Sequence, residues 1–196
     1  MKFYSVNLLP LMDRGFTVIR SLPEGTHDYG YRMSTGLEMA ERYPRDARVF
    51  MDARLPGIKL PSLVANTSSV LLVAAPVKAV IEKSQVGKME YLPLAIYNHK
   101  KRLASSDYFI VNPLGTFDCL DLEQSEIQYN KGDIVAVHRP ILDPKKIASA
   151  PDLFRVPENR RLYVISERLA AGLKAIKATN VYLFDLEQAP KKKVRA

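Results

Sequence analysis

Two stretches of this chain, Ser68 to Tyr97 and Arg161 to Leu186, carry the same punctuation: an apolar run, a short amphipathic pattern, then a second apolar run. In the first, Val70-Leu71-Leu72-Val73 reads as a strand, Val77, Val80 and Ile81 fall at helical spacing over Pro76 to Lys83, and Glu90 to Tyr97 reads as a strand again. In the second, Leu162-Tyr163-Val164-Ile165 is followed by Ser166 as an N-cap with Glu167 in the first turn. Leu169, Leu173 and Ile176 then share a helical face before Val181 to Leu186. A shift of about 91 residues lays Leu71-Leu72-Val73 on Leu162-Tyr163-Val164, and Tyr91-Leu92 on Tyr182-Leu183, without a gap. Both an ancient duplication and two independent uses of a common unit fit this match. Short helices with one apolar face suit covering a sheet more than forming a bundle.

The pattern predicts an α+β protein with a largely antiparallel or mixed sheet, two strand-helix-strand units and a loop-rich N-terminal lobe. Between the units, strands are expected at Tyr108 to Asn112, Thr116 to Leu122 and Ile134 to Leu142, with turns at Pro113-Leu114-Gly115 and Asn130-Lys131-Gly132-Asp133. Residues 1–66 are dense in Pro and Gly; strands are expected near Lys2 to Asn7, Phe16 to Arg20 and Arg48 to Asp52, and a helix over Thr35 to Tyr43. The expected organisation is a lobe at 1–66, a body at 67–188 and a basic tail at 189–196, within one compact domain. At 196 residues the chain can bury about 70% of its unfolded surface around one core.

Of the 29 basic residues, Lys191, Lys192, Lys193 and Arg195 fall in the last seven positions, leaving 25 bases against 21 acids elsewhere. That modest excess does not favour nucleic acid as a partner. The tail superficially resembles a nuclear import signal, but a solubilising lysine-rich end is the plainer reading. The lone Cys119 has no disulfide partner, and the opening Met1-Lys2-Phe3-Tyr4-Ser5 lacks a secretion signal, so the cytoplasm is the expected compartment. The run Val70 to Val77 is far shorter than the roughly 20 residues of a membrane span.

No reaction is written in the sequence. His99 with Cys119 and a nearby acid is a conceivable nucleophile and base, yet Cys119 sits in an apolar run that points it inward. His27, His99 and His138 lack paired zinc-ligand spacing, and no Gly-rich phosphate loop is present, so no catalytic residue, metal or cofactor is expected. Asp118, Asp121 and Glu123 form the densest acid cluster, for which a solvated edge or turn capping is the safer reading. The residues that suit contact with another protein are Tyr29, Tyr31, Arg32, Arg42 and Arg45 in the lobe, His99, Lys100, Lys101 and Arg102 at a connection tip, and Asp118 and Asp121. Arg155, Arg160 and Arg161 are weighed with the tip as a grip for an acidic surface.

Several words occur in order: Tyr108-Phe109-Ile110-Val111-Asn112, Asp118-Cys119-Leu120-Asp121 with Ser125, Leu142-Asp143-Pro144-Lys145 with Ile147, Phe154-Arg155, and Val164 with Ser166-Glu167. Through them the stretch from about 66 to 187 resembles immunity-protein family eleven of bacterial polymorphic toxin systems. Residues 1–65 contribute less to the likeness. The resemblance implies a bacterial cytoplasmic protein that binds the catalytic domain of a secreted or contact-delivered toxin and protects the producer and its kin. It implies no active site. An enzymatic protector or small hydrolase, and a nucleic-acid-binding module built on Lys100, Lys101, Arg102 and the tail, are the rival expectations. The oligomeric state is open.

Overall fold

The computed structural model describes residues 1–10, 13–85 and 87–190; the basic run at 191–196 lies outside them. In chain order the elements are β1 (Phe3–Val6), β2 (Val18–Ile19), α1 (Tyr31–Thr35), β3 (Arg48–Phe50), β4 (Ala65–Asn66), β5 (Leu71–Ala74), α2 (Ala75–Glu82), β6 (Met89–Tyr97) and β7 (Leu103–Pro113). There follow β8 (Glu126–Asn130), β9 (Asp133–Arg139), β10 (Ile141–Leu142), β11 (Leu153–Val156), β12 (Asn159–Ser166), α3 (Glu167–Ala175), β13 (Leu183–Asp185) and β14 (Glu187–Gln188). The α+β class expected from the punctuation is what forms, with mixed and antiparallel sheets.

Two four-stranded sheets dominate, one in the order β3-β6-β7-β5 and the other β11-β12-β1-β13. In the first, β7 runs antiparallel to both β5 and β6, so the two strands joined by α2 are parallel with a third inserted between them. The second sheet repeats this device: β1 is inserted between β12 and β13, the strands joined by α3. The inserted strand follows its unit in one case and opens the chain in the other, so the chain path differs although the spatial arrangement agrees. The equivalence falls one residue from the sequence register. The helix N-caps Ala74 and Ser166, the buried pairs Val77 with Leu169 and Ile81 with Leu173, and Tyr91 with Leu183 are all 92 positions apart. In a strand that one residue decides which face a side chain occupies.

The two helices meet in the middle. A methyl group added at Gly172 of α3 would come within 2.8 Å of Val80 of α2, so glycine permits their close approach. Leu71, Val73 and Val111 of one sheet, Tyr163 and Ile165 of the other, and Val77, Ile81, Leu169 and Leu173 of the helices share one apolar cluster. The far face of the first sheet (Leu72, Leu92, Leu94, Ile96, Ile110) is covered by Ile19, Met33, Met39 and Met51 from residues 1–66. The far face of the second (Phe3, Phe154, Val164) is covered by Cys119, Leu120, Leu142 and Ile147. Residues 1–66 thus supply an interior strand to one sheet and an edge strand to the other. At the other end Ala189 is buried, and its N–H donates to Leu142 O at 2.8 Å.

The expected helix over Thr35 to Tyr43 is displaced. The helix is α1, which stops at Gly36 in the left-handed conformation (φ 75°), and only a 3-10 turn at Ala40–Arg42 follows. A Cβ on Gly36 would lie 2.8 Å from Pro113 O and 2.9 Å from Arg155 Cδ, so the chain must turn there with no side chain. The Met39 and Ala40 N–H groups then donate to the Glu90 carboxylate at 2.8 and 2.9 Å, which takes the place of helical carbonyls. The expected strand over Thr116 to Leu122 reduces to a bridge between Leu120 and Leu142, because Asp121 Oδ1 accepts the N–H groups of Glu123 and Gln124 and turns the chain away. Ile134 to Leu142 is divided at Pro140: β9 forms a hairpin with β8, a strand the punctuation does not announce, and β10 pairs in parallel with β14.

One side chain ties these layers together. Arg155 is fully buried in β11, and its Nε donates to Pro113 O (3.1 Å). Nη1 donates to Ser34 O (2.8 Å) and Arg160 O (2.7 Å); Nη2 donates to Met33 O (2.7 Å), Asn112 Oδ1 (3.3 Å) and the Tyr163 hydroxyl (2.5 Å). Two of those acceptors are carbonyls at the C-terminal end of α1, where a cation is favoured. Burial pulls the guanidinium pKa below its ordinary value, and the Tyr163 hydroxyl offsets only part of that. Replacing Arg155 by Met leaves buried acceptors on both sheets and α1 unsatisfied, a loss of about 3–5 kcal/mol and on the order of 10 °C in melting temperature. Arg155→Lys should fall well short of restoring it, since one ammonium does not reproduce a planar fork. Unchanged thermal denaturation in both variants would contradict this role.

Candidate functional site

β6 and β7 form the longest hairpin of the described fold, and its connection at 98–102 is held by its own backbone. Asn98 N donates to Arg102 O (2.9 Å) and Lys101 N to Asn98 O (2.8 Å), while Asn98 Oδ1 accepts from Lys100 N (2.9 Å) and Arg102 N (3.1 Å). This is how a short polar side chain fixes a turn. His99, Lys100, Lys101 and Arg102 stand exposed on it.

The lobe candidates lie elsewhere. The Arg42 guanidinium carbon sits 5.4 Å from the centroid of the Tyr29 ring, which packs on the first core cluster. Arg32 Nε donates to Glu38 O at 2.6 Å, Tyr31 is 54% exposed, and Arg45 is exposed. Tyr43, half-buried against the same core cluster as Tyr29, has a hydroxyl with no hydrogen-bond partner among the described residues, and burial pushes its pKa up.

The acid candidates are engaged in structure. Asp118 pairs with Lys146 at 2.8 Å, and Lys146 Nζ also donates to Leu120 O. Asp121 caps the turn before β8 and accepts from the Gln124 amide at 3.2 Å. A more fully buried acid is Asp152, which carries no motif or spacing that marks it in the sequence. Burial raises its pKa, but Arg168 (2.5 Å), the Ser166 hydroxyl (2.5 Å) and the Gln85 N–H (2.7 Å) outweigh that and hold it below its ordinary value. Its role is to tie the end of α2 to the start of α3.

The nucleophile constellation does not assemble. Cys119 is fully buried in the cluster outside the second sheet, His99 is exposed on a hairpin of the first, and Asp121 is committed to its turn. Burial, with smaller contributions from Glu158 and Asp118, pushes the Cys119 thiol up to about 12. Arg155, weighed as a surface grip, is in fact the core tie described above, whereas Arg160 and Arg161 are exposed. Among the described residues no group of three or more His, Cys, Asp or Glu side chains is arranged to hold a metal ion. No described helix is long and apolar enough to cross a membrane.

The fold defines a class first: an α+β scaffold of two four-stranded sheets, each with an inserted strand, with charged side chains exposed on short, hydrogen-bonded connections such as 98–102. The chain belongs to the Immunity protein family (Imm11), whose family model matches residues 9–188. The match takes in nearly all of residues 1–66, which the resemblance in sequence had left at its margin. The matched part includes β2, β3 and β4, and with β3 the edge strand of the first sheet, whereas β1 (Phe3–Val6) precedes the match. Membership implies a toxin-neutralising function and suggests a role that needs no catalysis. No curated protein matches the chain.

A thiol reagent such as a disulfide dye at pH 8 should leave native Cys119 unlabelled over hours and react with it fully once the chain is unfolded in urea. Rapid labelling of the folded protein would show that the thiol is neither buried nor suppressed.

Proposed function

We propose that this protein binds the catalytic domain of a cognate toxin in the cytoplasm of the producing cell and neutralises it by covering its working surface. The observation that supports this most is the family match over residues 9–188. In this reading the toxin is delivered by secretion or contact between bacteria, and the protein protects the producer and its kin.

The physical requirements of such an inhibitor are modest and specific. It needs a surface already in its bound shape, because ordering loops during association subtracts from affinity. The Asn98 bonds at the β6–β7 tip and the Asp121 bonds before β8 provide that ordering in advance. It also needs charge matched to its target, since complementary potentials speed encounter and reject wrong partners. Tyr29, Tyr31, Arg32, Arg42, Arg45, His99, Lys100, Lys101, Arg102, Asp118 and Asp121 remain the proposed contact set, spread over separate surface regions.

Co-expression with the toxin domain encoded by the neighbouring reading frame is the direct test. The expected result is restored growth, with the toxin domain retained when the tagged protein is purified. Growth arrest despite full expression of both chains, or purification without the toxin domain, would contradict the proposal.

A further inference from the structure

We infer that the β6–β7 tip is the primary docking element for the toxin and that the toxin surface it meets is acidic; this deepens, and rests on, the occlusion reading above. Because β3 runs parallel to β6, with Phe50 beside Tyr97, the residues after both strands emerge at the same end of the first sheet. Met51 N donates to Tyr97 O at 2.9 Å, so Asp52 and Asn98 each follow a residue of that bond. Asp52 is shared between Arg20 and Arg54. Beyond it stand Lys100, Lys101 and Arg102, exposed, and among the described residues no carboxylate pairs with any of them. Among the residues that directly follow these two strands and their ion-pair partners, Arg20, Arg54, Lys100, Lys101 and Arg102 are cations and Asp52 is the carboxylate; the next along the hairpin is Asp107, exposed on β7.

Like charges crowded on one tip repel one another, a cost that an acidic partner removes. The tip is also backed by apolar surface. Leu103, at the start of β7, is 56% exposed, and the rings of Phe50 and Tyr97 lie 5.6 Å apart behind it. An apolar anchor ringed by charge is the composition of a protein-binding hot spot. Nucleic acid fits less well. A phosphate-tracking site gains its affinity from about 6–10 contacts along a strand, or from bases stacked on open aromatic rings. Here the cations are gathered at one point and the aromatic pair is half-buried.

The test compares three proteins for binding to the catalytically inactivated toxin domain from the neighbouring reading frame, and for protection of growth. They are the wild type, a tip variant (K100E, K101E, R102E) and a control (K131E, K174E, K177E) with the same change in net charge at other exposed positions. The tip variant should melt like the wild type, as its side chains are exposed, and the control slightly lower, because K174E and K177E place carboxylates at the C-terminal end of α3; both should remain folded at the temperature of the assay. The tip variant is expected to bind at least about 100-fold more weakly, chiefly through slower association, and to lose protection, while the control stays within about threefold of wild type. Full binding by the tip variant would overturn this inference and leave the occlusion reading standing. So would equal losses in both variants, which would mean that net charge alone matters. A short DNA duplex bound by the wild type, with steep salt dependence and loss in the tip variant, would assign the tip to nucleic acid instead. Failure of the wild type itself to bind the toxin domain would remove both readings.

Discussion

The rest of the structure depends on a positive charge buried without a carboxylate beside it. Arg155 is neutralised by dipoles, namely the carbonyls that end α1, the carbonyl of Pro113, the amide oxygen of Asn112 and the hydroxyl of Tyr163. Isolated buried charges are prohibitively costly, and arginine is tolerated here because its planar fork meets an acceptor on every side. Those acceptors belong to α1, to β7 of the first sheet and to β12 of the second. The network continues through Asn112, whose amide donates to Glu90 at 2.9 Å, and through Glu90 to the backbone of Met39 and Ala40. Residues 1–66 are therefore held on the sheets by directional bonds as well as by apolar contact.

This coupling bears on function through rigidity. A lobe leaning on the body by apolar contact alone would slide, and the surface presented to a partner would vary with it. Polar networks that are fully satisfied fix one arrangement. The 3-10 turn at Ala40–Arg42, which carries Arg42 over Tyr29, starts from the very amides that Glu90 binds. At the opposite end of the first sheet the tip at 98–102 is set by Asn98. Loops built this way enter a complex with little entropy left to lose.

Local patterns carried much of this fold in the sequence. Val77 and Ile81, or Leu169 and Leu173, repeat at helical spacing, and Ser166 is the side chain that caps α3, accepting from Leu169 N at 3.2 Å. Gly36 was visible as a turn former, but its effect on α1 depends on Pro113 and Arg155, which lie far along the chain. Thr116 to Leu122 alternates well enough for a strand, yet its fate was settled by Asp121 capping its own turn. The insertion of β1 between β12 and β13 joins residues some 160 positions apart and has no local signature. Phe154-Arg155 was legible as a family word; that Arg155 faces inward was not, because nothing nearby in sequence announces its acceptors. The candidate contact residues were legible as surface chemistry, while their distribution over separate regions required the tertiary structure.

If the protein works by occlusion, its protection must be consumed one molecule at a time. The direct measurement is the residual activity of a fixed amount of cognate toxin as this protein is titrated in, read at short and long incubation. The account predicts a sharp end point at a fixed stoichiometric ratio that does not move with time. Protection by small substoichiometric amounts, growing steadily as incubation lengthens, would mean that the chain transforms the toxin or its product, and would contradict the account.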